Sequence, residues 1–386
     1  MTRIYLVRHA EAEGNLYRRV QGHYDALVTD RGMKQIEALA QRFKDVHIDA
    51  VYSSDLSRTK ATAKAVYVPH GLPLRTDPGL REVNVGIWED LPWGVLGQEW
   101  KEQLYFFDTS NPNWHVEGSE TFEILRDRLK ATLTKIAQAH DGQTVAVFSH
   151  GMAIRNALAV LQGLSVAQGR EVAHCDNTGV SLLEYDDGKW NIVFMNDNSH
   201  LSEELSTFAG QKWWQDEEEG ALADANLWYR HLDMDKEWEF YYQCRKDAWI
   251  TIHKSLDKFD GEAFTADAAA QAKVSPDAVW QVMLNDQPVG LVQLDIPTAR
   301  REGYGPVPFL YLLPDYRGRG LGVQLIGQAV SVFRAMGCDR IRLRCAPDNA
   351  VAQKFYAKYG FYKIGEAAGS RVPLDLLEKK IGLDDQ

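Results

Sequence analysis

The sequence lacks any apolar run near the ~18–20 residues that a membrane-spanning helix requires, which excludes helical insertion into a bilayer. It has little cysteine: Cys175, Cys244, Cys338 and Cys345 are the whole complement. Their spacing forms neither a zinc site nor a disulfide framework, so buried or free thiols are expected. Positive charge is also short. Lys and Arg number 43 against 54 Asp and Glu, a formal net charge of −11, which argues against loose nucleic-acid binding, because that depends on cations displacing counterions from phosphates. No repeat of 20–50 residues occurs, and no low-complexity tract beyond an Ala-rich patch at 263–272. Met1-Thr2-Arg3 leads straight into strand-like Ile4–Val7, with no charged-then-apolar leader, so a cytoplasmic protein is expected.

What is present is ample apolar material. Hydrophobic residues make 45% and charged residues 25% of the chain, enough to offset chain entropy in a globular protein. At 386 residues, two or more domains are expected. Through about residue 200, short β-branched runs alternate with helix-period stretches, the pattern of a largely parallel sheet covered by helices. Ile4–Val7, Ala50–Tyr52 and Thr144–Phe148 read as buried strands. Between the first two, Met33, Ile36, Leu39, Ala40 and Phe43 form one helical stripe with Thr29 as N-cap. Composition changes at about 205–222, where Trp213-Trp214 and the acidic 216–219 run read as a linker with packing tryptophans. From Leu227 a second α/β series begins: a short strand, a Trp- and Tyr-rich helix to about Ser255, a hairpin at Asn285-Asp286, and a strand at Phe309–Leu313.

The first strand ends in Arg8-His9-Ala10-Glu11, and ligands in open α/β sheets bind at the carboxyl ends of strands. Ser149-His150-Gly151 also follows an apolar strand directly, and Arg58 follows the Val51-Tyr52 strand on a helix beginning near Asp55. Two arginines and two histidines at strand-to-loop junctions form a phosphate cage, in which a neutral imidazole can attack phosphorus and the guanidiniums hold its oxygens.

Arg8-His9-Ala10-Glu11, Asn15, Gln21-Gly22, Leu27 through Gly32, Arg58, Leu80-Arg81-Glu82, Gly86-Ile87-Trp88-Glu89 and Ser149-His150-Gly151 together resemble the histidine phosphatase (phosphoglycerate mutase-like) superfamily over residues 1–200. The resemblance implies a three-layer α/β/α domain with His9 as nucleophile. It makes Arg8, Arg58 and His150 the phosphate pocket, Glu82 the proton donor to the leaving oxygen, and Asn15 a further pocket donor. A general acid near neutrality needs a raised pKa, which burial or substrate phosphate can supply. Mutases of the family hold a second anionic group with extra basic residues. Here 92–120 is aromatic and acidic, with Lys101 its single basic residue, so water is the expected acceptor and a phosphomutase the alternative. The aromatics suggest a lid over a bulkier leaving group, with His115 a further residue that could touch substrate.

In the second half, Arg317-Gly318-Arg319-Gly320-Leu321-Gly322 follows an apolar strand and opens a helical stretch, Val323–Met336. Such a helix mouth exposes N–H groups and positive dipole to an anion such as pyrophosphate. The Arg-x-x-Gly-x-Gly spacing, with Asn349-Ala350-Val351-Ala352 and Phe355-Tyr356-Ala357-Lys358-Tyr359-Gly360-Phe361, resembles the GNAT acetyltransferase superfamily over about 223–367. It implies a mixed α/β domain using acetyl-CoA, with backbone at Leu310, Tyr311 and Leu312 pairing the pantetheine arm. It further implies that 317–322 holds the pyrophosphate, that Asn349 lines the cleft, and that Tyr356 protonates the departing thiolate. Glu302 and Asp295 are conceivable bases, and a water chain would also serve.

The expectation is thus a two-domain α/β bifunctional enzyme: a phosphatase domain at 1–205, a linker at 206–222 and an acetyltransferase domain at 223–386. It would act on a small phosphoester and an unidentified acceptor amine, small molecule or protein, with no metal, nucleic acid or membrane partner. The alternative for the second half is a non-catalytic acyl-CoA-sensing or interaction module.

Overall fold

The computed structural model describes residues 1–209, 225–369 and 373–383. The expected linker tryptophans and acidic run lie outside the described residues. The chain forms two compact units.

The first unit is built on six strands: β1 (Thr2–Arg8), β2 (Ala50–Ser53), β3 (Leu74–Thr76), β4 (Thr144–Ser149), β5 (Val180–Asp186) and β6 (Lys189–Asp197). Their order is β3-β2-β4-β1-β5-β6, parallel through β1 and antiparallel at β5 and β6. β1 is central and buried on both sides, which explains its unbroken apolar run. Tyr5 and Val7 join the cluster formed with Ile36, Leu39, Phe43, Val66 and Phe148, and period-2 geometry turns Ile4 and Leu6 to the opposite face.

The Asp30–Phe43 helix begins at Thr29, whose Oγ1 accepts from the Gly32 N–H. Its buried stripe runs through Gly32, Gln35, Ile36, Leu39 and Phe43. Met33, expected inside, lies on the margin of that stripe and is 47% exposed. Gln35 takes the interior instead, because its amide holds the Glu11 N–H, the Leu205 carbonyl and Thr207. Arg58 sits on the Ser57–Tyr67 helix, which begins two residues later than expected.

The second unit contains β7 (Trp228–His231), β8 (Val279–Leu284), β9 (Gln287–Gln293), β10 (Gly305–Pro306), β11 (Phe309–Leu312), β12 (Arg340–Cys345), β13 (Tyr362–Ala367) and β14 (Leu374–Lys380). They form two sheets, β11-β9-β8-β7 and β10-β12-β14-β13. The expected hairpin turns at Asn285, whose φ is +51°. The Ala-rich patch forms the Gly261–Val274 helix, capped by Asp260. β10 pairs with β12, yet β11, a few residues later, pairs with β9. The two sheets therefore part at Val307-Pro308, and β11 is left as an edge strand.

Candidate active sites

Sheet register assembles the first site. Arg8 lies opposite Ser149 and Ser53 opposite Phe148, so His9, His150 and Ser54 leave three neighbouring strands at one rim. The rings of His9 and His150 are 5.3 Å apart. His9 Nδ1 lies 2.7 Å from the Ala10 carbonyl, which can only accept, so Nδ1 carries the proton and Nε2 keeps its lone pair. Burial, then the Arg58 and Arg8 charges, hold this imidazole well below its ordinary pKa. A neutral imidazole with Nε2 free can act as a nucleophile.

Around it are buried nitrogens without partners: Arg8 Nε, Arg58 Nε and His150 Nδ1. The rest of each group is fixed. Arg58 gives Nη1 to the Tyr24 carbonyl and Nη2 to the Gly22 carbonyl, Arg8 bonds the Cys175 carbonyl, and His150 Nε2 meets Ser54 Oγ at 2.9 Å. Buried polar atoms are rarely left unpaired, and three cationic or donor nitrogens around one imidazole fit a phosphoryl group.

Glu82 is buried against the mouth of the Gly151–Leu161 helix. Its carboxyl accepts from the N–H groups of Val83, Met152 and Ala153 at 2.9, 2.9 and 2.7 Å. Burial raises its pKa, and those N–H bonds and Arg58 oppose the rise without cancelling it. Asn15 uses Oδ1 on the Ala12 N–H, leaving its amide nitrogen as the donor it can offer.

In the second unit, Gly318 and Gly320 have φ of +72° and +80°, backbone that favours glycine. They precede the Gly322–Ala335 helix, whose N-cap Leu321 makes no side-chain cap; the Gln324 N–H bonds the Leu321 carbonyl, while the N–H groups of Gly322 and Val323 have no helical carbonyl before them to bond. Beside this mouth runs β11, whose outer edge at Leu310, Tyr311 and Leu312 pairs with no further strand among the described residues, although its Leu312 carbonyl accepts from Arg317 Nε. A glycine loop, a helix mouth and an open strand edge fit a pyrophosphate-bearing arm. Tyr356 packs against Phe355 and Phe361, and burial, then Cys345, push its phenol upward, keeping it protonated.

Residues 4–198 match the family model of the histidine phosphatase superfamily (branch 1). The chain is 34% identical over 193 residues to the probable phosphoglycerate mutase GpmB of Yersinia pestis (strain Pestoides F), covering 49% of this chain and 88% of that protein. The GpmB of Yersinia pseudotuberculosis serotype O:1b (strain IP 31758) matches at the same identity and coverage. The chain belongs to the histidine phosphatase superfamily. Its fold is also that of Bacillus stearothermophilus YhfR, at TM-score 0.51 and 26% identity, covering 52% of this chain and all of that one. Residues 234–361 match the GNAT acetyltransferase family, so this histidine phosphatase chain also carries a GNAT domain.

Several of the expected residues have partners within the chain. Trp88, Phe107, Trp114 and Phe122 interlock at centroid distances of 4.9–5.9 Å and are buried. Phe107 and Trp114, two rings of the expected aromatic lid, are therefore core. His115 is exposed, against Ser119. Arg317 turns from the loop to Asp247 and the Leu312 carbonyl, and Asn349 Oδ1 caps the Ala350–Lys358 helix. Asp295 caps another helix through the Thr298 N–H, and Glu302 pairs with Arg301 on the surface.

Sequence reasoning missed the supports. Glu89 accepts from the N–H groups of Gly22, His23 and Tyr24, fixing the two carbonyls that hold Arg58. Asp25 accepts from Ser57 N–H and Oγ, anchoring the start of the Arg58 helix. The available signals were polar residues beside expected ones: Ser54 after the β2 strand, and Glu89 within the Gly86–Glu89 motif.

Among the described residues no helix is long and apolar enough to cross a membrane. Nor, among them, do three His, Cys, Asp or Glu side chains gather as metal ligands.

Proposed function

We propose that this chain hydrolyses a small phosphomonoester through a phosphohistidine on His9, and transfers acetyl groups from acetyl-CoA to an amine in its second half. The phosphatase domain spans 1–205 and the acetyltransferase domain 223–386, with a linker at 206–222. The observation that carries the first reading is the fixed His9 tautomer, with Nε2 free among unpartnered nitrogens of Arg8, Arg58 and His150.

Arg8, Arg58 and His150 hold the phosphoryl oxygens, and Asn15 adds a donor. His9 Nε2 attacks phosphorus, forming a P–N bond as the ester P–O bond breaks. The leaving oxygen takes the Glu82 proton. Water then attacks phosphorus, the P–N bond breaks, and the Glu82 carboxylate takes the water proton. Glu82 can hold that proton because burial raises its pKa, and a bound dianion raises it further.

For the second half, acetyl-CoA supplies an activated acetyl group when bound. Backbone of Arg317, Gly318, Arg319, Gly320, Leu321 and Gly322 would hold its pyrophosphate, and Leu310, Tyr311 and Leu312 its arm, with Asn349 lining the cleft. Tyr356 Oη holds the proton that the departing sulfur takes.

The relatives' name favours one other reading, a phosphomutase. The 92–120 segment speaks against it, since its single basic residue, Lys101, is exposed. Phosphate release from a panel of phosphomonoesters, with acetyl-CoA present and absent, tests the proposal. His9→Ala should abolish phosphate release and keep acetyl transfer. Equal loss of both activities in a folded variant overturns it, and phosphoryl transfer to an organic hydroxyl in place of water selects the mutase.

A further inference from the structure

The second unit holds a cation that none of the roles above uses. Arg245, on the Trp238–His253 helix, lies with its guanidinium 3.9 Å from the centre of the Phe309 ring, 4.9 Å from Phe264 and 5.4 Å from Tyr241. Its Nε donates to Tyr241 Oη at 2.8 Å and its Nη2 to Gln293 Oε1 at 2.5 Å. Gln293 is buried, and the same Oε1 accepts from Tyr241 Oη at 2.7 Å. Neutral oxygens therefore fix two nitrogens and rings clamp the plane. Among the described residues, Nη1 has no partner and no carboxylate pairs with this charge. Asp247, two residues on, is taken by Tyr311 Oη and Arg317.

A guanidinium on aromatic faces is usually matched by an anion, because apolar surroundings strengthen charge-assisted hydrogen bonds. Its place says which anion. Phe309 is the residue of β11 farthest along the chain from the 317–322 loop, with about 10 Å of strand between it and Leu312. A ligand anchored at that loop and paired along β11 ends beside Phe309, where the acceptor must arrive.

We propose that Arg245 recognises the carboxylate of the acyl acceptor, so that the amine acetylated by the second half is an amino carboxylate. This rests on the acetyltransferase reading above. Nη1 offers two N–H groups and the guanidinium one unmatched charge, which suits a monoanionic carboxylate better than a phosphate dianion.

The test uses the full chain with CoA bound, titrated calorimetrically with the twenty standard amino acids, their carboxamides, their decarboxylated amines and 2-aminoethyl phosphate. Acetyl transfer to the same compounds from acetyl-CoA is followed in parallel. At least one amino acid should bind about tenfold or more tighter than its own carboxamide, the scale of one charged hydrogen bond. Arg245→Gln should reduce that ratio below twofold while leaving CoA affinity unchanged, and Arg245→Lys should retain part of it. The wild-type comparison stands even if a variant fails to fold. Transfer to neutral amines as good as to acids, a preference for the phosphate, or an acid preference that survives Arg245→Gln overturns the inference and leaves the acetyltransferase reading intact. Binding of CoA with no amine bound or acetylated overturns both.

Discussion

The two proposed anion sites are built by opposite means. In the first unit the work falls to buried side chains: Arg58 and His150 are fully buried, His9 is 4% exposed, and each cation is tethered at one end and unpaired at the other. In the second unit residues 317–320 of the loop are exposed, Arg317 is already paired with Asp247, and the proposed anion-binding groups are backbone N–H groups. A side-chain cage is costly to build, since buried charges are destabilising without a partner. A backbone cradle has little to desolvate, and depends on glycine conformations instead.

That contrast can be broken or sharpened by experiment. The largest effect after removal of the nucleophile is expected for Glu82→Gln, which should slow hydrolysis of alkyl phosphates by ~10²–10⁴, the usual worth of a general acid. A p-nitrophenyl ester, whose leaving group needs no proton, should be affected far less, and a steady-state comparison of the two substrates measures this. Equal losses would remove Glu82 from proton transfer.

In the second unit, Gly318→Val forces a β-branched residue toward a φ of +72°, at ~1–3 kcal/mol of strain. CoA affinity measured by calorimetry should fall about tenfold or more while phosphatase turnover is unchanged. Unaltered CoA affinity would show that the cradle does not bind through this backbone.

The smallest effect concerns pH. His9 and His150 have folded pKa values depressed well below the ordinary 6.5, chiefly by burial. Below that value the unfolded chain takes up protons that the folded one refuses, so stability present above about pH 6.5 is lost as pH falls. Scanning calorimetry between pH 7.5 and 5.5 should show Tm falling by a few degrees, less steeply in His150→Asn. An identical slope in the variant would contradict the buried neutral state of that ring.

How much could be read from the residues differs between the centres in the same sense. Arg8, His9 and His150 were legible because each ends an apolar strand, and strand ends in a parallel sheet share a rim. Their supports were not. Glu89 reaches N–H groups 65–67 residues away, and although Glu82 was expected at the site, its hold on a helix mouth 70 residues on was not, because no local pattern marks a carboxylate destined for a distant backbone. The aromatics at Phe107 and Trp114 misled because a ring that packs and a ring that covers a ligand look alike in sequence. In the second unit glycine spacing marked the loop, but nothing in the spacing showed that the Arg317 side chain bonds Asp247 or that Asn349 Oδ1 caps its own helix. Arg245 had no signal at all, since its meaning comes from Phe309, sixty-four residues later.

The account turns on the free Nε2 of His9. Brief exposure of the full chain to an intact phosphomonoester that it turns over, an alkaline quench that preserves phosphoramidates, and phosphorus NMR with tandem mass spectrometry should find one phosphoryl group, on His9 Nε2, discharged by acid. A phosphoryl group on another residue, or turnover in His9→Ala matching the wild type, would contradict it.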